Sequence, residues 1–325
     1  MTVPGDLQLD LFTVAILAGI ISLFVLANAG ERYRLPRTLT LIAGGTLASA
    51  CLLLGGLFAS AQLLRYALGL VSPTEFRDGE LVLLPVAVAG ALGLLYLWPP
   101  IQRALAGWLP IHPGSPVVYL TVVLGLILVA LQIGAKVQPQ EPLTYSDLLA
   151  QDIPLLVLAF AGVGIFIRRS PTQAVERLGL QPPTDSRWWL VALAGIGVFI
   201  GVAFGIEAIA NVVAPAQEKE VTDVSNLLFS HFNNPGAIIF LGVLAGVVEE
   251  TLFRGALLPR LGVVVSTILF AALHTQYAVS FATLEVFVLG LGLGWLRVQA
   301  KSTLPCMLTH AGYDIAVGLL PYVFK

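Results

Sequence analysis

Apolar residues fall in ten blocks, at roughly 11–30, 38–62, 80–98, 116–134, 153–167, 188–213, 236–258, 262–277, 281–297 and 303–323. A helix needs about 20 mainly apolar residues to cross about 30 Å of hydrocarbon. The pattern therefore predicts an all-α fold, a polytopic transmembrane bundle of about ten spans, with the shorter blocks marginal. Between the blocks stand Pro36, Pro73, Pro99-Pro100, Pro110, Pro113, Pro139, Pro171, Pro182-Pro183, Pro235 and Pro259, at the places where helices have to end. The segment 168–187, with Arg168, Arg169, Arg177, Arg187 and three prolines, reads as the main boundary. It divides an amino-terminal bundle of about five spans with its basic linker, 1–187, from a carboxy-terminal domain, 188–325. Residues 215–234 are polar with one apolar patch, which predicts a surface loop holding a short interfacial helix.

Composition confirms the solvent. With 57% hydrophobic and 11% charged residues and a mean hydropathy of +0.90, a soluble domain is excluded. The net charge of -2 carries no information about partners; the expected surroundings are the lipid bilayer, and no nucleic-acid partner is expected. Cys51 and Cys306 each lie within an apolar block and read as small core residues. The acidic start MTVPGDLQLD lacks the basic region of a signal peptide, so the first block is expected to be retained. Twelve of the 17 basic residues fall on one side of a ten-span arrangement. The positive-inside rule makes that side inner and both termini extracytoplasmic, in what is expected to be a bacterial plasma membrane.

The first five spans carry almost no interior charge, whereas the later ones hold Glu207, Glu249, Glu250, Arg254, His274, Glu285 and His310. A charge at mid-bilayer costs about 2.5–3.5 kcal/mol even on lenient scales, so such residues mark function. Glu250 and Arg254 are four apart, acid first, the favourable order for an ion pair on one helix face. Glu249 lies about 100° round the helix from Glu250 and about 140° from Arg254. It is left without that partner, as a base that activates water has to be. The turn Pro259-Arg260-Leu261-Gly262 lies ten residues after Glu249 and twelve before His274. A helical hairpin there puts both at about 15–18 Å depth at a rise of about 1.5 Å per residue. His310 and Asp314 reach about 12–18 Å from a start near Ser302 by the same rise, and Phe270 shares a face with His274. Glutamate, two imidazoles and a second carboxylate can hydrolyse an amide with water. Glu249, His274 and His310 can equally form a two-histidine, one-carboxylate site for zinc or another divalent ion. Glu207 and Glu285 read as interfacial, and His112 and His231 as solvated turn residues.

The ordered set EExxxR at 249–254 continuing as FRG, FxxxH at 270–274 and HxxxD at 310–314 resembles the CPBP family of CAAX proteases and bacteriocin-processing enzymes, the Abi group of intramembrane endopeptidases. The resemblance covers about 188–325 and implies a CAAX-protease-like helical core that hydrolyses a peptide bond within the membrane. It implies that Glu249 activates water, that Glu250 and Arg254 support it, that His274 positions water, and that His310 with Asp314 forms the oxyanion side. Its substrate would be a peptide or protein, membrane-anchored or prenylated. The last position is Asp314 where the family most often has Asn, and a carboxyl group donates to an oxyanion only when protonated. Two other classes compete: a non-catalytic scaffold or immunity protein, and a proton-coupled transporter, which an internal repeat would favour and the sequence does not display.

Overall fold

A computed structural model describes residues 11–137 and 141–323. The stretch MTVPGDLQLD, Pro139 and Lys325, on which part of the topology reading rests, lie outside the described residues. Thirteen helices follow in order: α1 (Leu11–Gly30), α2 (Arg34–Ala67), α3 (Pro73–Leu95), α4 (Pro99–Ala106), α5 (Pro116–Gly134), α6 (Tyr145–Val163), α7 (Pro171–Arg177), α8 (Trp188–Val213), α9 (Pro215–Leu228), α10 (Pro235–Glu250), α11 (Leu258–Leu273), α12 (Phe281–Ala300) and α13 (Leu304–Val323). Among the described residues there is no strand, only an isolated bridge between Ile165 and Arg169.

Helix starts follow a local rule. In α3, α5, α7 and α10 a capping side chain is followed by proline at the first turn: Ser72-Pro73, Ser115-Pro116, Ser170-Pro171 and Asn234-Pro235. Each cap oxygen accepts the N–H three residues on, and proline fills a position whose N–H has no helical partner. Helix α6 starts eight residues before the apolar block at 153, because Thr144 and Asp147 form a capping box that hydropathy cannot register. The polar segment 215–234 holds a 14-residue helix, α9, which buries Val221, Val224 and Leu228.

Among the described residues seven helices are long and apolar enough to cross a membrane, counting Pro235–Leu273 as one run; Ala15–Gly30 is a shorter apolar helix. That run is folded back on itself. Gly262, with φ 80° and ψ 172°, breaks it, in a conformation that glycine adopts without strain. A straight helix would hold Phe253 and Phe270 about 25 Å apart at about 1.5 Å per residue. Their rings stand 5.2 Å apart, edge to face, and Ser266 Oγ donates to the Phe253 carbonyl at 2.8 Å. The ten expected blocks and the seven spans thus differ partly because two blocks form this hairpin. The last block, α13, carries Thr309, His310 and Asp314, which dilute its apolarity.

Large side chains such as Leu53, Leu57, Val198 and Val212 face outward, as lipid-facing helices require. The main core cluster joins Ala48, Tyr119 and Val163 to Leu178, Phe253, Leu269 and Phe270, so packing is continuous across position 187. Cys306 is fully buried and donates to the Leu293 carbonyl, whereas Cys51 is half-buried.

Helices α10 and α13 pack closely through Gly242 and Gly246, a small-xxx-small spacing. A Cβ on Gly246 would stand 2.9 Å from the Ala311 nitrogen and 3.0 Å from the Met307 carbonyl oxygen, and one on Gly242 2.9 Å from Ile315. Backbone atoms cannot give way as a side-chain tip can. Gly246→Ala is therefore expected to destabilise the protein by about 1–3 kcal/mol. A lower thermal unfolding temperature in detergent checks this, with Gly197→Ala, whose added Cβ meets nothing within 4 Å, expected to leave it unchanged.

Candidate active site

The site starts where α10 ends. After Glu250 the backbone widens into a π-helical segment, Thr251–Leu257, before α11 begins. Widened turns free backbone carbonyls and occur often at functional sites. Three successive carbonyls of this segment accept side-chain donors: Phe253 from Ser266 at 2.8 Å, Arg254 from Arg297 Nε at 3.2 Å and Gly255 from Arg177 Nη1 at 3.2 Å. In a bilayer such groups must be satisfied within the protein. No sequence signal marks these three donors, because their spacing along the chain is unrelated to their meeting.

The widened turn keeps Glu250 and Arg254 on one face. Arg254 Nη1 donates to Glu250 Oε1 at 2.7 Å, and both side chains are buried, at 1% and 0% exposure. Arg254 also donates through Nη2 to the Gly290 carbonyl at 3.1 Å, and its guanidinium lies 4.3 Å from the Phe270 ring centroid. Gly290 allows this approach, since a Cβ there would stand 3.3 Å from Arg254 Nη2 and 2.8 Å from Thr267.

From α13, His310 Nδ1 meets the same Glu250 Oε1 at 2.8 Å. A nitrogen facing a carboxylate oxygen at that distance carries the proton, so His310 is oriented by Glu250. Its Nε2 faces Asp314 Oδ2 at 3.5 Å, one turn along the helix. The spacing-based reading assigned Glu250 a single partner; it has two, from two helices.

His274 ends α11. Its Nδ1 lies 3.0 Å from the Phe270 carbonyl oxygen, which fixes the proton on Nδ1 and leaves Nε2 as an acceptor. Phe270 holds both imidazoles, its ring edge-on to His274 at 5.1 Å and to His310 at 5.9 Å between centroids. His274 lies within electrostatic reach of His310 and Asp314. Tyr277 stacks on the other side of His274 at 6.2 Å.

Glu249 stands apart from this network. Its Oε2 is buried and has no hydrogen-bond partner among the described residues, though it lies within electrostatic reach of His310, Glu250 and Arg254. A buried acceptor left open beside a fixed imidazole is a place for a polar group of another molecule. Glu249, Glu250, Arg254, Phe270, His274, His310 and Asp314 are thus gathered in one cluster by α10, the π-helical segment, the end of α11 and α13.

As a metal centre the set does not fit as placed: among the described residues no group of three His, Cys, Asp or Glu side chains stands close enough to share an ion.

Three further residues bear on the site. Asp152, on α6, is buried at 6% exposure and lies within electrostatic reach of Glu249. It belongs to the half of the chain that seemed free of interior charge, and the capping box at Thr144 was the signal that would have placed it inside a helix. Glu285, expected at the interface, accepts from Tyr313 Oη at 2.7 Å and is half-buried between α12 and α13. Glu207, His112 and His231 are exposed, as expected.

Residues 231–316 match the family model described as type II CAAX prenyl endopeptidase Rce1-like. A relative from Escherichia coli, an uncharacterized 24.3 kDa protein, is 30% identical over 136 residues, which cover 38% of this chain and 58% of the relative. The chain thus spans just over half the length of that relative. No solved structure matches.

Proposed function

We propose, from the premise that this integral membrane protein carries an Rce1-like domain of the CAAX-type intramembrane protease family over 231–316, that it hydrolyses a peptide bond within the bilayer with Glu249 as the base. The observation that carries this reading is that among the described residues the buried Glu249 has no ion-pair partner and an open Oε2, beside a Glu250 whose Oε1 is held by Arg254 and His310 while its Oε2 is open as well. Of two adjacent carboxylates, one is held as structure and the other is free to take a proton.

In this mechanism water donates to Glu249 Oε2 and to His274 Nε2, and Glu249 takes its proton as the hydroxyl oxygen bonds to the scissile carbonyl carbon. Charge develops on the carbonyl oxygen. His310, whose Nδ1–H is committed to Glu250, presents Nε2–H to that oxyanion. Asp314, 3.5 Å from the same nitrogen, stabilises the proton there as an oriented carboxylate, a role that fits Asp better than direct donation does. Glu249 then returns its proton to the leaving amine as the carbon–nitrogen bond breaks, so atoms and charge balance. No step requires a metal ion. A carboxy-terminal prenylated peptide is the first substrate to try, given the family description, with unprenylated membrane-anchored peptides beside it.

Purified protein is expected to cleave members of such a peptide set, and the Glu249→Ala/His274→Ala double variant to cleave none while unfolding at the wild-type temperature. Wild-type cleavage by the folded double variant excludes this chemistry and leaves the scaffold reading.

A further inference from the structure

Away from the glutamates, at the polar end where α1 turns into α2 and α6 turns into α7, Arg32, Arg168, Arg169 and Arg177 surround an open cavity of about 560 Å³ together with Gln173 and Glu176. Some of these guanidinium edges serve the fold. Arg32 donates to the carbonyls of Ile167 and Arg168 at 3.4 and 3.3 Å, Arg169 donates to that of Val163, and Arg177 to that of Gly255. Arg260 lies close by and donates to the Gly162 carbonyl at 2.8 Å. Cations at helix carboxy-termini are favourable, a role that fits Arg169 and Arg260 at the end of α6, and holding loop and π-helical carbonyls occupies one edge each of Arg32 and Arg177. Neither role accounts for Arg168, which caps nothing and has one acidic partner, Glu31 at 3.4 Å, an acid that Ser115 also engages.

The positive charge is under-compensated. Among the described residues Glu31 and Glu176 are the acids near the four cavity arginines, with Arg260 and Arg297 close by. Burial, and then the charges of Arg169, Arg297 and Arg168, push the Arg177 guanidinium down to about 10. Arg169 is pushed down by burial and by Arg168, with Glu31 opposing. Each guanidinium has five N–H donors in a planar fork suited to phosphate, and most of those on these four are not engaged by the bonds above. Arginines that repel one another across an open cavity, with donors to spare, are arranged for an anion beyond those that Glu31 and Glu176 supply.

We propose that this cavity binds a phosphate-bearing anion, either the headgroup of an anionic lipid or a soluble polyphosphate. Because Arg177 and Arg297 also hold the Gly255 and Arg254 carbonyls, the anion sits against the π-helical segment from which Arg254 reaches Glu250. The inference stands apart from the hydrolytic reading and is tested without an assay of cleavage.

The full chain is reconstituted in phosphatidylcholine nanodiscs, with and without phosphatidylglycerol, and inorganic pyrophosphate is titrated separately into the phosphatidylcholine sample. Native mass spectrometry reads retained lipid, and equilibrium dialysis reads pyrophosphate. Saturable retention of phosphatidylglycerol identifies a lipid headgroup site, and saturable pyrophosphate binding without it identifies a soluble ligand. In either case the Arg32→Gln/Arg168→Gln variant is expected to bind more weakly by about fivefold per charge removed, the equivalent of about 1 kcal/mol each. Glu31→Gln, which frees Arg168, is expected to bind more tightly. No saturable binding of either probe by the wild type, or wild-type affinity in the folded double variant, overturns the proposal. If the double variant does not fold, unchanged or weakened binding by Glu31→Gln overturns it instead.

Discussion

Replacing Glu249 with glutamine is expected to lower the rate of peptide cleavage by about 10²–10⁴-fold, the usual contribution of a positioned general base, with little change in stability. The isosteric amide keeps the volume and removes only the proton acceptor. Because Oε2 of Glu249 accepts nothing from the described residues, no bond within the protein is lost. Glu250→Gln gives the contrasting result. Its Oε1 holds both Arg254 and His310, so the amide leaves a buried guanidinium without its counter-charge and an imidazole without its orienting carboxylate, and the protein is expected to unfold at lower temperature as well as lose activity. Initial rates on a cleaved peptide, read beside the thermal unfolding of both variants, separate the two roles. A fully active Glu249→Gln, or the reverse pattern of a stability loss at Glu249 and none at Glu250, removes Glu249 as the base.

The Glu250–Arg254 pair was legible from helical spacing, and so was the helical hairpin. Both follow from regular geometry: four residues bring Glu250 beside Arg254, and the break at Gly262 folds α11 back so that Phe270 meets Phe253. What spacing cannot supply is the rotation of one helix against another. The Glu250–His310 bond depends on how close α13 comes to α10, which the small faces of Gly242 and Gly246 decide. The π-helical segment has no periodic signature, and its carbonyls are taken by Ser266, Arg297 and Arg177 from three different places in the chain. Asp152 was missed for another reason. Hydropathy averages over a window, so a single acid between apolar residues reads as the edge of a span, when Thr144 and Asp147 had already started the helix. Its position near Glu249 makes the amino-terminal half part of the wall of the site.

Arg254→Met should produce the largest loss of stability, about 3–5 kcal/mol, the range for removing one partner of a buried ion pair. Methionine fills much of the space and can follow the same path, so the cost is chiefly electrostatic. Four interactions disappear together: the 2.7 Å bond to Glu250, the bond to the Gly290 carbonyl, the charge over the Phe270 ring and the compensation of a fully buried carboxylate. Glu250 then keeps His310 as its one donor among the described residues, and the ring that spaces the two imidazoles loses the group that braces it. Activity is expected to fall as a consequence of a displaced His310. The cycle with Glu250→Leu decides whether the pair acts as a unit, since an apolar pair of similar volume leaves no charge stranded. Arg254→Met/Glu250→Leu is expected to unfold at a higher denaturant concentration than Arg254→Met alone. Additive losses across the cycle would mean that the two side chains are coupled to other groups more strongly than to each other, against the geometry that places them 2.7 Å apart.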